Sequence, residues 1–141
     1  MLRRDFISKI IEQMVNAVAR LLKTDIEEEQ EKFLEDFNEL LKTYFKFSND
    51  DLEKLLEENE ERDALLLDEK LKNQLLHLFA NAGLVYVNVN LNQIEKAKTS
   101  LKIIERIQNQ HSDLFEFPSE ESEKLEMKIE KLKSQISTFK P

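Results

Sequence analysis

Apolar side chains recur every three or four positions in residues 2 to 22, at Leu2, Phe6, Ile7, Ile10, Ile11, Met14, Val15, Val18, Leu21 and Leu22. A backbone turning once per 3.6 residues gathers such positions on one face, so the spacing predicts an amphipathic helix. The rhythm returns at Phe33, Leu34, Phe37, Leu40, Leu41, Tyr44 and Phe45, which predicts a second helix. Its start is expected near Thr24, because Thr24 and Glu27 have capping-box spacing and Glu27, Glu28 and Glu29 suit the positive end of a helix dipole.

Ser48 and Asp51 mark a short third helix carrying Leu52, Leu55 and Leu56. The polar run E-E-N-E-E-R-D after it reads as a loop and as the main internal boundary. A fourth helix is expected from about Asp68 to Asn90, with Leu71, Leu75, Phe79, Ala82 and Tyr86 facing inward, although V-Y-V-N-V-N at its end alternates as a strand would. Ile94, Ala97, Leu101, Ile104 and Ile107 form the inner stripe of a fifth helix, from about Asn92 to Asn109. H-S-D-L-F-E-F-P is then a loop, and Pro118 biases Phe117 away from helical dihedrals, which favours Ser119 as N-cap of a last helix holding Leu125, Ile129, Leu132 and Ile136.

The expectation is therefore an all-α bundle of about six helices in one domain, residues 1–141, with N-terminal helices in 1–57 and C-terminal helices in 68–138. Composition agrees. One Gly and two Pro leave almost none of the φ-positive or φ-locked positions that β-hairpins need. With 141 residues, 40% of them apolar and nine of them Phe, the chain has material for a single core. The absence of Cys excludes disulfides and thiolate zinc sites. A formal net charge of −8 argues against nucleic acid, whose binding depends on Lys and Arg displacing counterions. Charges at Arg3, Arg4, Asp5, Lys9 and Glu12 interrupt any apolar targeting segment, so a cytoplasmic location is expected.

Residues 75 to 107 add a finer resemblance. Phe79, Ala82, Gly83 and Tyr86, followed by Ala97, Leu101 and Ile104, place bulky, small and aromatic side chains much as one tetratricopeptide (TPR) hairpin does. Small residues at Ala82, Gly83 and Ala97 let two antiparallel helices approach closely. The pattern departs from the family in two extra residues before the turn, in Ile104 where a small residue is usual, and in Asn109 where proline is common. Over a longer span, R-R-D-F-I-S-K-I-I-E-Q, then A-V-A-R-L-L, an acidic helix and this hairpin resemble an uncharacterised bacterial family of small helical proteins, a domain of unknown function. These resemblances imply a bacterial docking scaffold and no catalytic residues.

No constellation points to catalysis. His77 and His111, the two histidines, are 34 positions apart and each follows a glutamine by three, so the E-x-x-H pairs of carboxylate-bridged metal bundles are absent. There is no H-E-x-x-H, no glycine-rich phosphate loop and no G-x-S-x-G elbow. The acidic residues read as solvated faces paired with Lys, as in Glu28 with Lys32 and Glu120 with Lys124. No enzyme activity, cofactor or metal is expected.

Two surfaces are candidates for binding. Gln74, His77, Asn81 and Asn88 fall near one stripe of the fourth helix, where amides can hydrogen-bond an extended peptide from a protein partner. Residues 1 to 23 hold five basic and two acidic side chains on an otherwise acidic chain. Arg3, Arg4, Arg20 and Lys23 would dock that helix on a membrane surface as a peripheral adaptor, or on an acidic partner, unless they pair with the Glu-rich second helix. A lone hairpin leaves a face to be covered, either by the N-terminal helices or by a second copy in a homodimer.

Overall fold

The computed structural model describes residues 2–47, 49–66, 68–89, 94–109 and 120–138, with the side chains of 2–7, 49, 50, 61, 62, 88, 89 and 120–122 left aside. Six α-helices build it: α1 Leu2–Leu22, α2 Gln30–Leu40, α3 Glu60–Leu65, α4 Glu69–Val89, α5 Ile94–Asn109 and α6 Glu120–Thr138. A π-helical turn, Leu41–Phe45, prolongs α2, and a kinked 3₁₀ segment, Asn49–Leu56, stands where the third helix was expected. No strand occurs among the described residues.

The centre of the fold is α4, which packs against α1, α2, α5 and α6. Leu71, Leu75, Phe79, Ala82 and Tyr86 are buried as expected, and so are Leu76, Leu78, Ala80, Leu84, Val85 and Val87. From Leu78 to Val87 α4 is covered on every side, and a helix so covered needs apolar residues all round. That explains V-Y-V-N-V-N: the alternation is helical through Val89, and the strand alternative is overturned for residues 85 to 89.

Aromatic rings tie α2 to α4. Phe37 stacks on Phe33 at 6.0 Å and meets the edges of Phe79 and Tyr86 at 5.7 Å and 6.4 Å. Such pairs add about 0.5–1.5 kcal/mol each to area burial. Met14, Val18 and Leu21 bring the apolar face of α1 into the same core.

Helix directions follow from four contacts. Lys96, early in α5, lies 5.7 Å from the ring of Tyr86, late in α4, whereas Ile103 and Ile107 share a small cavity with Leu75 and Phe79. The α4–α5 pair is thus antiparallel. Lys128 meets His77, and Leu132 approaches Gly83, so α6 runs parallel to α4.

Two boundaries correct the sequence reading. Asp25, not Thr24, organises the entry to α2: its Oδ1 accepts from the amides of Glu27 at 2.9 Å and Glu28 at 3.3 Å. Thr24 donates its amide to Leu21 O at 3.0 Å and so closes α1, which delays α2 to Gln30. The polar run read as a loop includes the start of α3. The Asn59 amide donates to Asp63 Oδ2 at 3.4 Å, the Asp63 amide donates to Asn59 O at 2.8 Å, and Arg106 of α5 reaches Asp63 from across the fold. A distant guanidinium is invisible to local periodicity. The proposed Ser119 cap and the loop before it lie outside the described residues.

Candidate functional site

The start of α4 is set by Asp68, whose Oδ1 accepts from the Leu71 amide at 2.9 Å and whose carbonyl accepts from the Lys72 amide at 2.9 Å. This cap fixes the phase of the first two turns. Lys70, Asn73, Gln74 and His77 then follow at steps of three, one and three, which stacks them on one face. Because α6 runs parallel and begins at the same level, Lys124 and Lys128 stand opposite that face, and Ala19 and Leu22 near the end of α1 close the third side. The result is an open cleft of about 1070 Å³ counted to its solvent mouth.

The described lining of the cleft is basic on an acidic protein. Its walls carry three lysines and no carboxylate among the described residues. Lys128 Nζ lies 3.1 Å from His77 Nδ1. An ammonium only donates, so Nδ1 is the acceptor in that contact. Gln74 presents a further feature: its Oε1 is buried and has no hydrogen-bond partner.

Gln74 and His77 are thus brought together as the sequence implied, whereas Asn81 is not part of an accessible stripe. It is 5% exposed, with an unpartnered Oδ1, because α4 is covered at that level. The side chain of Asn88 lies outside the described residues. The stripe extends backward along α4 to Lys70 and Asn73 instead of forward to Asn88. That extension was legible as i, i+3, i+4, i+7 spacing, but the contribution of α6 was not, since it depends on a parallel helix some fifty residues away. Gly83 also changes role. A Cβ there would lie 2.6 Å from Leu132 Cδ2, so the glycine makes room for the parallel α6, where the sequence suggested room for an antiparallel helix.

Among the basic N-terminal candidates, Arg20 and Lys23 are exposed, and Arg3 and Arg4 have side chains outside the described residues. Arg20 lines a second cleft with Asp36 and Glu39 of α2, the acidic helix expected to face it. Lys32 pairs with Glu29 at 3.7 Å, not with Glu28. No group of three or more metal-ligating side chains occurs among the described residues, and none of their helices is long and apolar enough to cross a membrane.

No protein-family model matches this chain, and comparison with curated proteins and with solved structures returns no match.

Proposed function

We propose that the chain is a non-catalytic, TPR-like docking module that holds a segment of a partner protein in the α1–α4–α6 cleft. The observation that carries this reading is the course of α6. It runs parallel to α4 and packs on it, as the first helix of a following hairpin would in a stacked repeat, so its lysines join the polar face of α4 in one groove. Asn73 and Gln74 supply amides for a peptide backbone, and the lysines supply charge complementarity to an acidic partner. The likeness to a bacterial family of small helical proteins adds a bacterial, cytoplasmic setting to the proposal.

The alternative of a peripheral membrane adaptor receives no such support. Met14, Val18 and Leu21, the apolar face that would enter lipid, lie in the core of the bundle.

Capture from bacterial lysate tests the reading with three chains of matched helicity: wild type, Lys124→Glu/Lys128→Glu, and Lys102→Glu, which alters an exposed lysine on α5. A protein retained by the wild type and by the α5 variant but lost from the double variant is expected. Equal retention on all three chains, or on none, contradicts it.

A further inference from the structure

Two amide oxygens on one face of α4 are buried without a partner. Gln74, Leu78, Asn81 and Val85 follow at steps of four, three and four, which sets them on one stripe of the helix. Leu78 and Val85 are wholly buried and Asn81 nearly so. Gln74 Oε1 and Asn81 Oδ1, one heptad apart on this stripe, accept no hydrogen bond among the described residues. Buried polar groups are paired as a rule, and an unpaired one weakens whatever packs over it.

The other faces of α4 are accounted for. Leu75, Phe79 and Tyr86 meet α5 and α2, and Gly83 meets α6. The stripe is therefore the face that α1 covers. Ala19 and Leu22, near the end of α1, stand by Gln74 at the start of α4, so α1 runs antiparallel to α4. Val15, one heptad before Leu22, then falls at the level of Asn81. The buried and half-buried positions of α1 from Met14 to Leu22 are all apolar, and none carries a side-chain donor. This helix closes over two acceptors that it cannot satisfy.

From this we infer that α1 is a detachable cover, and that the stripe beneath it, Gln74, Leu78, Asn81 and Val85, is a docking surface for an amphipathic helix of a partner protein that carries hydrogen-bond donors one heptad apart on its apolar face. When α1 leaves, both amides return to water, so α1 is held less firmly than its apolar contacts alone would hold it. An incoming helix with Asn, Gln or Arg at the two positions keeps the apolar contacts and pairs the amides as well. Detachment stands by itself, whereas the protein partner rests on the docking reading above.

Native-state amide exchange of the full chain tests the cover. Residues 10 to 22 are expected to exchange together and faster than the centre of α4, through an opening that leaves α4 and α5 folded. Gln74→Met/Asn81→Leu removes both acceptors with little change of volume and is expected to slow exchange in α1 about tenfold. Val15→Gln, at a half-buried position, offers Asn81 a donor from α1 itself. It is expected to slow α1 exchange severalfold in wild type and to speed it in an Asn81→Leu background, where the glutamine meets only apolar side chains. Unchanged or faster exchange in both Gln74→Met/Asn81→Leu and Val15→Gln overturns the cover.

The docking surface is tested with two labelled peptides of the α1 sequence, residues 2 to 22, one unaltered and one carrying Val15→Gln and Leu22→Gln. Added to the full chain, the donor-bearing peptide is expected to bind about tenfold tighter than the other and to speed exchange of the resident α1 as it displaces it. Equal affinity of the two peptides overturns the docking surface whatever the exchange of α1 shows. Neither result bears on the lysine-lined cleft, which the Lys124→Glu/Lys128→Glu chain tests separately.

Discussion

Gly83 and Leu132 pack α4 against α6: a methyl group added at the glycine would lie 2.6 Å from Leu132 Cδ2 and 3.1 Å from Cδ1. Leu132 is wholly buried, so the leucine has no open space to turn into. Alanine gains about 1 kcal/mol over glycine in a helix interior, whereas overpacking a dense core costs roughly 1–3 kcal/mol. Gly83→Ala is therefore expected to destabilise by about 1 kcal/mol in urea unfolding. In a Leu132→Ala background the clash is absent, and the same change should stabilise by about 1 kcal/mol. A destabilisation of equal size in both backgrounds would show that the two residues do not meet.

Arg106 pins α3 and the end of the 3₁₀ segment to α5. Its guanidinium donates to Asp63 Oδ1 at 3.2 Å, to Asp63 Oδ2 at 3.4 Å and to the Glu57 carbonyl at 3.2 Å. The pair is partly shielded, with side chains 20% and 31% exposed. Arg106→Gln is expected to cost about 1 kcal/mol at low salt, and the loss should shrink in 1 M NaCl as the pair is screened. Amide exchange should accelerate chiefly in residues 59 to 66. A salt-independent loss would assign the effect to packing of the Arg106 stem.

Ser100 sits on the buried face of α5 with a hydroxyl that has no partner. Leaving a buried polar group unsatisfied costs about 1–3 kcal/mol. Ser100→Ala removes that group and favours helix, so a stabilisation of about 1 kcal/mol is expected in thermal or urea unfolding. A loss of stability would mean that Oγ makes a hydrogen bond in solution.

Asp68 holds the first turn of α4, and with it the phase of Lys70, Asn73, Gln74 and His77. Asp68→Ala should cost about 1 kcal/mol, and Asp68→Asn far less, since both Asp and Asn accept from the N3 amide. Because the cleft face depends on that turn, the alanine variant should also weaken binding of hexaglutamate, an acidic peptide, with the asparagine variant near wild type. Equal losses in both would point to the charge of Asp68 instead of its cap.

Much of the bundle was legible because its helices are amphipathic. Met14, Val18, Phe33, Phe37, Leu71, Leu75, Phe79 and Ile104 all fall where a period of 3.6 placed them, and all are buried. Legibility failed where a side chain from elsewhere decides the outcome. Asp25 displaced Thr24 at the entry to α2, and Arg106 helped turn an apparent loop into α3. The cleft shows the same division. Gln74 and His77 were visible on one face of one helix, but Asn81 was misplaced because a stripe says nothing of what covers it. Lys124 and Lys128 join the site only through the parallel course of α6, which no local pattern encodes.

The claim that the α1–α4–α6 cleft is the working surface is tested most directly by amide chemical-shift mapping of the full chain during addition of hexaglutamate. The expected result is a set of saturable shifts concentrated in residues 70 to 77 and 124 to 128, with α5 and the α1–α2 cleft around Arg20 unmoved. Shifts centred on Arg20 and Lys23, or spread evenly over all exposed lysines, would contradict it.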